Sequence, residues 1–72
     1  MRELDARGLI CPLPVLKARK ILLSMSPGEA LRVTVTDKSA PKDFGLFCAE
    51  AGHSLQSVTE TDDGAVVVVI AG

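Results

Sequence analysis

Apolar and polar positions along this chain follow two different periods, and the switches between them outline its elements. Leu4 and Ala6 share one side of residues 3–6, which predicts a short strand. Near Pro14 the period lengthens. Val15, Ala18, Leu22 and Met25 recur at helical spacing with Ile21 beside them. Lys17, Lys20 and Ser24 take the opposite side of that helix, and Arg19 lies near an edge. Pro14 suits a first helical turn, where its missing N–H has no partner to lose. Ser26-Pro27-Gly28-Glu29 stops the helix and turns the chain.

Alternation returns over residues 30–36, with Leu31, Val33 and Val35 on one face of a second strand. Asp37 or Ser39 then caps a second helix. Phe44, Phe47, Cys48 and Ala51, spaced i, i+3, i+4 and i+7, are its expected buried stripe. Gly45 weakens this helix by about 1 kcal/mol relative to alanine. Gly52 is its expected C-terminal stop. Residues 54–61 read as a polar edge strand, and Asp62-Asp63-Gly64 as a tight type I′ hairpin turn. The unbroken run Val66 to Ile70 reads as a central strand. The order β-α-β-α-β-β predicts a two-layer α/β sandwich: a four-stranded mixed sheet with both helices on one face.

Length makes residues 1–72 one domain with a thin core. With no Trp or Tyr and only two Phe, that core must be mostly aliphatic. The net charge of −1 argues against a general nucleic-acid binder, as does the lack of an aromatic stacking platform. The charge is uneven, however. Residues 1–20 hold five bases against two acids, and the remainder three bases against seven acids. No apolar run approaches a membrane span and no export signal is visible, so the expected location is the cytoplasm. Two cysteines there are expected as free thiols, not as a Cys11–Cys48 disulfide. Metal is not expected, because Cys11, Cys48 and His53 lack the paired spacing of a zinc site.

Cys11 carries the chemistry. It lies between a strand and a helix start, flanked by Pro12 and Pro14. A residue before proline is pushed out of helical geometry, so Cys11 and Leu13 are both expected to be extended, with the thiol aimed outward. The helix N-terminus, with Arg7, Lys17, Arg19 and Lys20 as a basic setting, should favour the thiolate and lower its pKa. A small buried hydrophobe at a turn is the alternative reading of the same residue. Cys48 belongs to the core, and His53 to a helix end, where it caps the last carbonyls. Asp5 is a turn-forming carboxylate ahead of Gly8. Lys17, Arg19 and Lys20 form either a solvated face or a docking surface for an acidic partner.

Leu4-Asp5-Ala6, Gly8 and Cys11-Pro12-Leu13-Pro14 resemble the L-D-x-x-G-x-x-C-P-x-P signature of the TusA/SirA/YedF family of small sulfur-carrier proteins. The similarity continues through Pro27-Gly28-Glu29, Thr36-Asp37, Asp43-Phe44, Phe47-Cys48 and Gly52-His53. Lys38 departs from it, standing where a proline often follows the aspartate; so do Ile10 and Leu13, which differ from the residues of tRNA-thiolating members. The resemblance implies strand order one, two, four, three, and a fold like the C-terminal domain of a bacterial translation initiation factor. It implies that Cys11 accepts sulfur as a persulfide from a donor protein, such as a cysteine desulfurase or a rhodanese-like protein, and relays it to an acceptor protein. The sulfur of some members ends in tRNA thiolation. Others serve sulfur oxidation, molybdenum-cofactor synthesis or selenium metabolism. Such a sulfurtransferase-type carrier needs no cofactor. A redox or regulatory thiol protein, a selenium-metabolism member without sulfur transfer and, less favoured, a nucleic-acid-binding module are the alternatives.

Overall fold

The computed structural model describes all 72 residues. In chain order the elements are β1 (Arg2–Ala6), α1 (Leu13–Ser24), β2 (Ala30–Val35), α2 (Ala40–Ala51), β3 (Ser54–Glu60) and β4 (Val66–Ala71). They form one four-stranded sheet of order β1-β2-β4-β3. The uninterrupted apolar run is thus central, as its composition implied. β1 runs parallel to β2, with Ala6 opposite Val35, and β4 runs antiparallel to both β2 and β3. Around Gln56 the β3–β4 register shifts, a bulge of the kind common at sheet edges.

One face of the sheet carries the core. Leu31, Val33 and Val35 of β2 and Val68 and Ile70 of β4 are fully enclosed there, in a single cluster with Ala18 and Leu22 of α1 and Phe44 and Cys48 of α2. Both helices therefore lie on that face. Each buries residues one turn apart: Pro14, Ala18 and Leu22 in α1, and Ala40, Phe44 and Cys48 in α2. Repeats of four keep a narrow stripe on the sheet. Phe44 is the largest enclosed side chain, and burial of such a group is worth about 1.5–3 kcal/mol. On the uncovered face, Val67 and Val69 remain half-buried beside Thr34.

Three details correct the expectations. Ala51 is exposed, because the last turn of α2 opens onto a recess shared with Val15, Leu16 and Arg19 instead of closing against the sheet. Leu13 is helical, not extended: its N–H donates to the Ile10 carbonyl (2.9 Å) and it begins α1. The preference of a pre-proline residue yields here to that first turn. The β3–β4 connection is not a type I′ turn, because Asp63 lacks the positive φ that type requires. Only Gly64 is left-handed, at φ 86°. Thr61 N–H reaches the Ala65 carbonyl (2.8 Å) and Gly64 N–H the Thr61 carbonyl (3.2 Å), while the Thr61 hydroxyl binds the Asp63 carboxylate. Gly52 does stop α2, at φ 78°, with its N–H on the Cys48 carbonyl.

Candidate functional site

Parallel pairing of β1 and β2 places the β1–α1 loop and the β2–α2 loop side by side, beyond the carboxyl ends of both strands. In α/β sheets this is where ligands and reactive groups are usually presented. Two hydrogen bonds tie the loops together. Gly8 N–H donates to Thr36 Oγ1 (2.9 Å), and Cys11 N–H donates to Asp37 Oδ2 (2.7 Å). Asp37 also accepts from the Ser39 N–H and hydroxyl, both at 3.1 Å, so one carboxylate fastens Cys11 to the start of α2. The Cys11 N–H is the first cause, and the Ser39 N–H the second, of an Asp37 carboxyl held below its ordinary pKa.

Cys11 is exposed, and the Cys11–Pro12 peptide is cis. Pro12 is the N-cap residue of α1, and Pro14 packs into the core from the first turn. The thiol opens onto a recess of about 330 Å³ lined by Cys11, Pro12 and Val15 on one side and Asp43, Leu46, Phe47 and Glu50 of α2 on the other. Leu46 is 55% exposed at this recess, and Ile10 and Leu13, which flank Cys11 and Pro12 in the chain, are 72% and 45% exposed. Phe47 in turn packs on the His53 ring at 5.5 Å, and the His53 N–H, not its imidazole, meets the Cys48 carbonyl (3.0 Å).

The electrostatics reverse the expectation for Cys11. Its thiol is pushed up, not down. A hydrogen-bonding contact with the Asp43 carboxylate is the main cause, followed by burial and by the charges of Asp43 and Asp37; the Ser39 hydroxyl opposes them weakly. The anticipated bases are elsewhere. Arg7 is clamped on Asp5 by contacts of 2.9 and 3.0 Å, which holds the Asp5 carboxyl down at about 2. Lys17 and Lys20 are exposed on α1 and do not line the recess. Arg19 lines the adjoining recess between the helices, opposite Glu50.

Asp37 and Asp43 were not among the candidate residues. Both come from the second loop and helix, 26 and 32 positions beyond Cys11. The signal that could have found them is the β1–β2 parallel pairing implied by the β-α-β order, which brings successive strand ends together. Cys48 is buried in the core, and burial pushes its thiol up. No group of three His, Cys, Asp or Glu side chains converges as a metal site, and no helix is long and apolar enough to cross a membrane.

Comparison with known proteins agrees with this architecture. The family model described as Sulfurtransferase TusA matches residues 2–72. The sulfur carrier protein TusA of Allochromatium vinosum is 48% identical over 59 residues, covering 82% of this chain and 78% of the relative. The crystal structure of a SirA-like protein from Desulfitobacterium hafniense superimposes with a TM-score of 0.91 at 27% identity, over 100% of this chain and 97% of that one.

Proposed function

We propose, for a chain that belongs to the TusA sulfurtransferase family, that Cys11 carries sulfur as a persulfide between two proteins. The family and the name of the Allochromatium relative support a sulfur-carrier role and, in general, a protein donor and a protein acceptor. The observation that carries the residue assignment is that the two thiols divide cleanly: Cys11 is exposed at the mouth of a recess, and Cys48 is enclosed in the core. Only the first can meet two partners in succession.

The relay needs nothing beyond thiol chemistry. Cys11 attacks the outer sulfur of a donor persulfide, the donor's S–S bond breaks, and the donor cysteine leaves as a thiol. An acceptor thiol then takes the same sulfur from Cys11. The donor is a cysteine desulfurase or a rhodanese-like protein acting in the cytoplasm, and tRNA thiolation is one destination. Pro12 and Pro14 support the thiol by fixing the start of α1. Lys17, Arg19 and Lys20 form a docking face for acidic residues of a partner. Charge reversal at Lys17 and Lys20 should slow association with the donor and flatten its salt dependence; unchanged kinetics would leave that face merely solvated.

The test is sulfur loading. Incubation with a desulfurase and cysteine should add the mass of one sulfur to Cys11, and Cys11→Ser should abolish the gain while keeping the fold. A folded wild-type protein that oxidises reversibly but takes no sulfur would point instead to a redox thiol. A Ser variant that still gains sulfur would remove Cys11 from the mechanism.

A further inference from the structure

We propose that the recess around Cys11 is read by partner proteins that present a lysine or arginine beside their own reactive sulfur, and that this cation pairs with Asp43. The inference rests on the sulfur-carrier reading and adds the chemistry of the surface that meets it. Three carboxylates face the site: Asp43 and Glu50 from α2, and Asp37 from the loop before it. α1 contributes only Val15 and the apolar start around Pro12, and no lysine or arginine lines the recess. The ion pairs of the molecule, Arg7–Asp5 and Arg32–Glu3, lie elsewhere, so none of the three has a cationic partner.

Asp43 is the most exacting of them. Its Oδ2 atom is shut off from water and has no hydrogen-bond partner, an arrangement that native structures rarely leave in place. Asp37, by contrast, spends its oxygens on Cys11 and Ser39. A cation brought to Asp43 would offset its negative charge, and the apolar side chains of Val15, Leu46 and Phe47 that line the recess would exclude water around the pair. The same cation would act on the thiol. Asp43 is the main group that pushes the Cys11 thiol above its ordinary pKa in the free protein. Neutralising it would favour the thiolate once a partner has docked.

Atoms balance in the step so released. Cys11 Sγ bonds to the partner's outer sulfur, the partner's S–S bond breaks, and the Cys11 proton ends on the departing partner thiol. No net oxidation occurs. The basic side chains Lys17 and Lys20 stand outside the recess, so they would meet a different part of the same partner.

Small disulfides of different charge test this on the intact protein. Cystamine carries two ammonium groups, 2-hydroxyethyl disulfide none, and dithiodiglycolate two carboxylates. Rates of mixed-disulfide formation on Cys11 would be followed by mass spectrometry, each divided by its rate with an uncharged thiol peptide. Wild type should prefer cystamine over dithiodiglycolate by about tenfold or more at low salt, and the preference should shrink as salt is added. Asp43→Asn should cut the preference and speed the neutral reagent at pH 7, and Asp43→Glu should restore both. A wild type without a salt-sensitive cation preference overturns the proposal, and it does so even if Asp43→Asn fails to fold. A preference that survives unchanged in folded Asp43→Asn also overturns it. Sulfur loading is scored separately: a protein that selects cystamine yet takes no persulfide sulfur keeps the acidic recess and loses the carrier reading.

Discussion

Cys48 allows the structural and chemical roles of the two thiols to be separated quantitatively. Its side chain is 2% exposed, one turn after Phe44 on the buried stripe of α2. Cys48→Ala deletes one core atom. Lost burial of a methylene-sized group is worth about 0.8 kcal/mol, and incomplete collapse of the surroundings raises the loss to about 1–1.5 kcal/mol. Alanine is the better helix former by up to about 0.7 kcal/mol, which offsets part of it. The net cost is then about 0.5–1 kcal/mol. Cys48→Ser keeps an atom in the place of the sulfur but buries a hydroxyl, a cost of about 1–3 kcal/mol unless it bonds back to the Phe44 carbonyl. Unfolding entropy is about 2.1 cal/mol/K per residue, so over 72 residues 1 kcal/mol corresponds to about 7 °C. Thermal denaturation followed by circular dichroism should show Tm falling by about 3–7 °C for alanine and by about 7–20 °C for serine. Sulfur loading of Cys11 below the transition should be unchanged in both. A serine variant as stable as wild type would refute the burial argument, and a folded alanine variant that no longer loads sulfur would refute the division of labour.

Acid should loosen the loop that holds Cys11. The folded Asp37 carboxyl sits below its ordinary value, so its contribution is complete above the unfolded pKa of about 3.9 and is lost as pH falls through the lower folded value. Urea midpoints should therefore hold steady from neutrality to about pH 5 and drop below about pH 4, and Asp37→Asn should flatten that acid limb; an identical limb in the variant would remove Asp37 from the account. The two glycines of α2 should respond with opposite signs. Gly45 is helical with open space around it, so Gly45→Ala should stabilise by about 1 kcal/mol. Gly52, at φ 78°, also has open space, so Gly52→Ala should cost about 1–2 kcal/mol from backbone strain alone. Chemical denaturation checks both, and shifts of the same sign would contradict the assigned geometry.

Secondary structure was legible because the periods are clean, and the strand lacking polar alternation suited a central place, whereas the full strand order came only from the family resemblance. Chain-local rules failed where neighbours intervene. Ala51 sits in phase with Phe44 and Cys48, but the helix outruns what covers it. Asp63-Gly64 satisfies the composition of a type I′ turn without adopting its backbone. At the site, the cysteine and its prolines were visible as a motif, whereas the groups that govern the thiol were not. Basic residues near Cys11 in sequence suggested an activating field. In space, Arg7 is already bound to Asp5, and the nearest charges belong to Asp37 and Asp43. Linear charge is a poor guide to local field when a parallel strand pair joins two distant loops.

The central position of β4 has a bearing on biosynthesis. A ribosome emits β1, α1, β2, α2 and β3 before the strand that must lie between β2 and β3. Until residues 66–71 emerge, β2 has no partner on that side, and Val68 and Ile70 are missing from the core. The nascent chain therefore cannot complete its sheet step by step, and folding waits for β4 to leave the exit tunnel.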